Sequence, residues 1–303
     1  MGWKITFGLI FVILTFFLLF FYWFFPLSST EFTPQSESSS KSFQLGQIKD
    51  LQFYENMRYP ESAISYNIGD CSIAKRDEAV RALNLLQEKT VLRFYPVAAN
   101  EEISITCDSR SKIEGGFFIA GEGGPTNITK AGEFNVISKG TVLLIRESQC
   151  KNPNVGVHEL LHALGFNHTT NPDDIMYPIS NCNQEIQNYT IDLIDNLYSI
   201  PSYPDITFES VSAIMKGKYL DANMSIRNNG FEESPAAIVQ IYADGGLVKE
   251  VNLDPLGIGH GIVISLKNIW IGQFNTEQLR FFVKTNFDEL KKDNNEVTLK
   301  IKK

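Results

Sequence analysis

The chain has 303 residues and a formal net charge of -8, with no cluster of Lys or Arg, which argues against nucleic acid as a partner. Leaving aside its N-terminal stretch of roughly fifty residues, it is long enough for two domains. All four cysteines lie between Cys71 and Cys182, so any disulfides belong to the first of these domains.

The N-terminus is a single apolar run over residues 5–25, with Lys4 on its near side and Tyr22 and Trp23 at its far edge. A run of this length suffices to cross a hydrocarbon core of about 30 Å. The aromatics sit where interfacial rings are expected. The expectation is a transmembrane helix within an anchor segment of residues 1–26, with a cytoplasmic N-terminus and the rest of the chain outside. The competing reading is a cleaved signal peptide and a secreted protein. The run ends in Trp-Phe-Phe-Pro, a poor cleavage site, and exceeds the usual 7–15 residues of a signal core. Either reading exports the remainder of the chain. Residues 27–47 are rich in Ser, Thr, Pro and Gln and read as a flexible stalk.

The first domain is expected over residues 48–200. Residues 62–68 alternate as a strand, and 75–89 repeat apolar residues at helical spacing. Short strands are expected next at 92–97, 102–107 and 141–145. The glycine-rich stretch 121–124 lacks the Lys of a phosphate-binding loop and reads as a turn. A closing helix is expected at 188–198, ended by Pro201.

Between these last elements lies the segment His158-Glu159-Leu160-Leu161-His162-Ala163-Leu164-Gly165-Phe166-Asn167-His168, which holds three of the chain's four histidines. His158 and His162, four apart, project from one face of a helix and can hold one ion. Gly165 lets the chain leave the helix in a conformation other residues resist, and the turn returns His168 as a third ligand. Three protein ligands leave a position open for water, the arrangement of a catalytic Zn2+. Glu159 stands beside that water as general base.

The pattern resembles the metzincin zinc metallopeptidases, whose motif is H-E-x-x-H-x-x-G-x-x-H followed by a Met-turn. Met176, in Ile-Met-Tyr-Pro, is similarly placed to the Met of the matrixin branch. Some metzincins carry a zinc-touching Tyr two residues after this Met; here that position is Pro178, so Tyr177 receives no such role. The resemblance implies an α+β catalytic domain, a mixed twisted sheet plus helices, that hydrolyses peptide bonds of proteins or peptides. It also implies an antiparallel edge strand that binds extended substrate, for which 116–120 and 134–137 are both candidates. Its sheet order points to a Cys71–Cys107 disulfide, leaving Cys150–Cys182. Structural Ca2+ has no support beyond Asp173 and Asp174, which serve equally as turn residues.

Residues 205–303 change texture, with short apolar alternations and an Asp244-Gly245 hairpin signal. They suggest an all-β, immunoglobulin-like sandwich. Asn228-Asn229-Gly230, the hairpin, and Asp293-Asn294-Asn295-Glu296 before alternating Val, Leu and Ile resemble CARDB adhesion-related domains. The resemblance implies a spacer or a module for a surface partner. His260, between glycines, reads as a loop residue. The function expected of the whole is a membrane-anchored, extracytoplasmic zinc endopeptidase. The alternative is an inactive surface adhesion protein with a metalloprotease-like domain, against which the complete ligand set and intact Glu159 speak.

Overall fold

A computed structural model describes residues 2–24, 29–34, 51–109, 113–114, 117–146, 148, 150–272 and 275–301. The chain divides into two compact units, one of 41–204 with 229–232, the other of 1–40, 205–228 and 233–303.

Helix α1 (Gly2–Phe24) opens the chain, and strand β1 (Ser29–Pro34) comes after it. The large apolar side chains of α1 between Phe7 and Phe21 are 42–72 % exposed and join no core. Among the described residues no helix is long and apolar enough to cross a membrane. Of the α1 side chains, those of Trp3 and residues 6–21 are described, and the expected span 5–25 reaches beyond them at both ends.

The first unit runs β2 (Met57–Arg58), β3 (Ala63–Ile68), α2 (Ile73–Lys89), β4 (Arg93–Pro96), β5 (Ile103–Cys107), β6 (Ile113–Glu114), β7 (Phe117–Phe118), β8 (Gly121–Ala131), β9 (Phe134–Leu144), α3 (Asn154–Ala163) and α4 (Asn188–Tyr198). Its sheet has the order β2-β9-β5-β3-β4, all parallel, and β8 adds antiparallel to β9. Apolar residues of the sheet (Ile64, Ile103, Ile105, Val142, Leu144) and of the helices (Ala82, Leu83, Leu86, Leu160, Leu161) form one core. Helix α2 begins where Ser72 caps Lys75 N, which satisfies one of its free first-turn donors. Arg58 closes α4: its Nη1 donates to the carbonyls of Leu197 and Ile200, and its guanidinium lies over the rings of Tyr198 and Phe231. Cys71 is bonded to Cys107, at the end of β5, and Cys150 to Cys182.

Two local expectations change. The strand expected at 141–145 is the end of the longer β9. The glycine-rich stretch 121–124 is not a turn but the first four residues of β8. Of the two edge-strand candidates, Gly116 lies outside the described residues, and Phe117 and Phe118 pair with β6 in a separate ribbon. Residues 134–137 lie at the start of β9, enclosed between β8 and β2. The antiparallel edge strand is β8 itself.

Beyond α1 and β1, the described elements of the second unit are all strands: β10 (Ile206–Lys216), β11 (Tyr219–Asn228), β12 (Ala237–Ala243), β13 (Gly246–Leu253), β14 (Gly261–Trp270), β15 (Gln278–Lys284) and β16 (Glu296–Ile301). Asp244 and Gly245 both take positive φ, 47° and 85°, as the two-residue hairpin between β12 and β13 requires. The strands take the order β13-β12-β15-β16-β1-β10-β11-β14. Both arms of this path contribute to one core, with Met224 and Ile226 from one side and Val239, Ile241 and Phe281 from the other.

The stalk expectation over 27–47 therefore needs correction. Ser29–Pro34 is a strand between β16 and β10, antiparallel to both, and Phe32 is 4 % exposed within the core. A polar segment with one large apolar residue orders itself when two strands offer it backbone partners on both sides. Residues 35–47 of the expected stalk lie outside the described residues.

Candidate metal centre

Helix α3 is buried along its whole length and presents His158 and His162 one turn apart. It ends at Leu164, and Gly165 comes next with φ +94°. There the Gly165 N–H donates to His162 O and the Phe166 N–H to Leu161 O, at 2.9 and 3.0 Å, a glycine-terminated helix end. The reversal carries the chain to His168, whose N–H is held by Asn167 Oδ1 at 2.8 Å.

The three imidazoles converge. Their Nε2 atoms are 3.0 Å (His158–His162), 3.1 Å (His162–His168) and 3.2 Å (His158–His168) apart. His158 Nδ1 lies 2.6 Å from the Ile175 carbonyl and His162 Nδ1 2.8 Å from that of Phe166. A carbonyl only accepts, so each of these Nδ1 atoms carries the proton and each Nε2 turns a lone pair inward. Lone pairs facing one another at such distances repel, and a cation between them removes the repulsion. Ligands about 2.1 Å from a tetrahedral ion stand about 3.4 Å apart, so a small expansion of this triangle suits one zinc. Burial first and the charge of His158 second push the His162 pKa down to about 4, against the hydrogen bond to the Phe166 carbonyl, which raises it. Burial also lowers His158 and His168. The ligands are thus neutral, as metal binding needs.

The Ile175 carbonyl that holds His158 belongs to a tight turn. Met176 is 1 % exposed, and its N–H donates to Asp174 Oδ1 at 2.9 Å. The other carboxylate oxygen of Asp174 accepts from Thr169 Oγ1 at 3.0 Å and from the Tyr189 hydroxyl. Asp174 is therefore the clamp of the Met-turn, with both oxygens engaged, rather than a calcium ligand. Sequence alone leaves it undecided, because its partners come from both sides of the turn. Gln184, 2 % exposed, pins the loop beyond the turn through Nε2 to the carbonyls of Pro172 and Ile179, at 3.1 and 3.0 Å.

Glu159 is 5 % exposed. Burial first, and the charge of Glu122 second, push its pKa up to about 8. It lines the same cavity as the three histidines, about 720 Å³ in volume, with Phe118, Val155, Pro178 and Ile179 as apolar walls and Glu114 and Glu122 as acidic ones. Strand β8 lies directly on α3 here. A Cβ on Gly121 would fall 2.6 Å from Glu159 Cγ, and one on Gly123 2.2 Å from the Glu159 carbonyl oxygen. The sequence signal is the glycine run itself, which marks close backbone approach in a strand. Gly123→Ala must push β8 off the helix, because the obstacle is backbone. We expect a loss of about 2–3 kcal/mol, measured as thermal destabilisation of the unit that holds the histidines. Unchanged stability would mean that the strand does not sit this close.

A parallel sheet with one antiparallel edge strand, a helix offering two imidazoles, a glycine exit to a third and a Met-turn define a domain of the metzincin type. The matrixin family model matches residues 59–199 and the CARDB model residues 203–299. Among solved structures it is similar to the CARDB domain of a Pyrococcus furiosus protein in complex with di-metal ions. That likeness is 21 % in identity, covers 32 % of this chain and 84 % of that one, and has a TM-score of 0.27. Comparison with curated proteins returns no match.

Proposed function

We propose that the chain is a zinc-dependent endopeptidase that cuts proteins or peptides outside the cytoplasm, held to a membrane by α1. The observation that carries the catalytic reading is the triangle of inward-facing Nε2 atoms with Glu159 in the same cavity. His158, His162 and His168 would hold the ion. Bound zinc supplies Lewis acidity toward water and the scissile carbonyl. Glu159 takes the proton of the attacking water and passes it to the leaving amine. Strand β8 pairs with β9 along one edge, and no described strand pairs with its other edge. An extended peptide adds there by backbone hydrogen bonds, which carries its carbonyl past α3.

Two disulfides support an oxidising compartment. The run of residues 5–25 carries no charge, and the exposed aliphatic and aromatic side chains of α1 join no core among the described residues. These support the anchor. In the purified protein we expect one zinc per chain and cleavage of unfolded protein substrates that phenanthroline abolishes and added zinc restores. Cleavage indifferent to the chelator, or protein that takes up no zinc, would end the catalytic reading. The anchor fails separately if the intact chain stays in the aqueous phase on detergent partition.

A further inference from the structure

The second domain holds a group of buried oxygens that zinc peptidase chemistry does not use. Asp205 immediately precedes β10 and is 5 % exposed. The loop between β15 and β16 brings Glu289, 8 % exposed, and Asn295, 3 % exposed, together with Asn294. Asn294 Nδ2 donates to Asp205 Oδ1 at 2.9 Å, and Asn295 Nδ2 donates to Glu289 Oε2 at 2.8 Å. Each amide is thereby turned with its nitrogen to a carboxylate. Flipping either amide would set oxygen against carboxylate, so the orientation is fixed. Three buried oxygens then remain with no hydrogen-bond partner: Glu289 Oε1, Asn294 Oδ1 and Asn295 Oδ1.

Buried oxygens without donors are costly. Here they sit beside two buried carboxylates that feel one another's charge. Lys291 and Asp293 also face Asp205, with opposite effects, so the local balance remains negative. Burial pushes both Asp205 and Glu289 up, as expected where carboxylates lack a full counter-charge. Hydrogen bonds offset this only in part: those from Asn295, Thr285 and the backbone at Ile206 for Glu289, and those from Asn294 and the backbone at Lys291 for Asp205. The donor set is all oxygen: two carboxylates and two amide carbonyls, with no His or Cys. Such a set suits a hard cation and not zinc, and calcium tolerates its irregular mixture better than magnesium.

We propose that Asp205, Glu289, Asn294 and Asn295 form a calcium site that fastens the β15–β16 loop to the start of β10. The site joins the residue before β10 to the domain's last hairpin, so calcium adds to the stability of the second domain and leaves the zinc centre alone.

The test uses the full zinc-loaded chain in detergent and equilibrium dialysis with radioactive calcium. We expect one calcium per chain at millimolar calcium or below, and a thermal transition of the second domain that rises with calcium. Glu289→Gln and Asn295→Leu should each weaken binding by at least about tenfold, while Glu296→Gln, an exposed neighbour paired with Arg280, should not. Asp205→Asn removes one charge with little change of shape. It supplies the same reading if the other variants fail to fold. No calcium retained by the wild type at about 1 mM, as a pocket filled only by water would give, overturns the proposal. So does calcium binding that none of these substitutions weakens.

Discussion

Glu159→Gln is expected to retain one zinc per chain and to lose peptide hydrolysis by about 10²–10⁴-fold. The two halves of that expectation have different physical origins. Zinc retention depends on three imidazoles, two of whose tautomers are set by the Ile175 and Phe166 carbonyls, and Glu159 touches neither contact. The substitution is isosteric, which matters because Gly121 and Gly123 leave no room around this residue. What the amide lacks is the ability to take a proton. The carboxyl it replaces is raised to about 8 by burial first and by Glu122 second, so in the metal-free protein it is largely protonated at neutral pH. Positive charge placed among the histidines favours its ionised form. With a metal bound, Glu159 would thus be available as a base. Metal analysis and turnover on one peptide decide the matter. Normal turnover in the zinc-loaded variant would remove Glu159 from the mechanism. Loss of zinc would show that the carboxylate supports the centre instead.

How much of this is legible in the sequence depends on how local each signal is. His158 and His162 declare themselves because helical spacing alone puts them on one face. Gly165 declares itself because its positive φ serves a helix end within the same segment. Asp244-Gly245 is equally local, since both residues supply the hairpin's positive φ. Asp174 is less so: its partners Thr169 and Tyr189 lie fifteen residues or fewer away, yet no spacing rule brings them to one carboxylate. The first four residues of β8 mislead for a related reason. Glycines in sequence signal freedom, whereas in the fold Gly121 and Gly123 record how closely α3 approaches. The buried oxygens of the β15–β16 loop are visible only as a family-like string, Asp293 to Glu296. Their lack of donors is a property of packing. Strand β1 is the extreme case: its partners β10 and β16 lie about 180 and 270 residues further on, and six residues are too few for periodicity to outweigh a polar composition.

Phe32→Asp is expected to disrupt the second domain while sparing the first. Phe32 stands opposite Ala213 on β10 and Ile301 on β16, and its ring belongs to the buried core. Removing a ring of this kind costs about 3–5 kcal/mol, and a carboxylate left there without a partner adds to that. The domain escapes the buried charge only by releasing β1, which bares the facing edges of β10 and β16 to other strands. The variant should therefore show a lowered second thermal transition, rapid cleavage within residues 29–34 by added protease, and a tendency to associate. Peptide hydrolysis should persist, because the zinc domain has its own core. Thr33→Asp, whose side chain is exposed, is the control and should change none of these. A flexible stalk at this position predicts silence from both substitutions, so equal behaviour of the two would return the segment to that reading. If β1 holds, there is a consequence for the anchor. Four residues separate Phe24 from Ser29, and the five Cα steps between them reach at most about 19 Å. The helix that we propose as the anchor then ends within that distance of the CARDB-type sheet, although the matrixin-type domain precedes that sheet's other strands in the sequence.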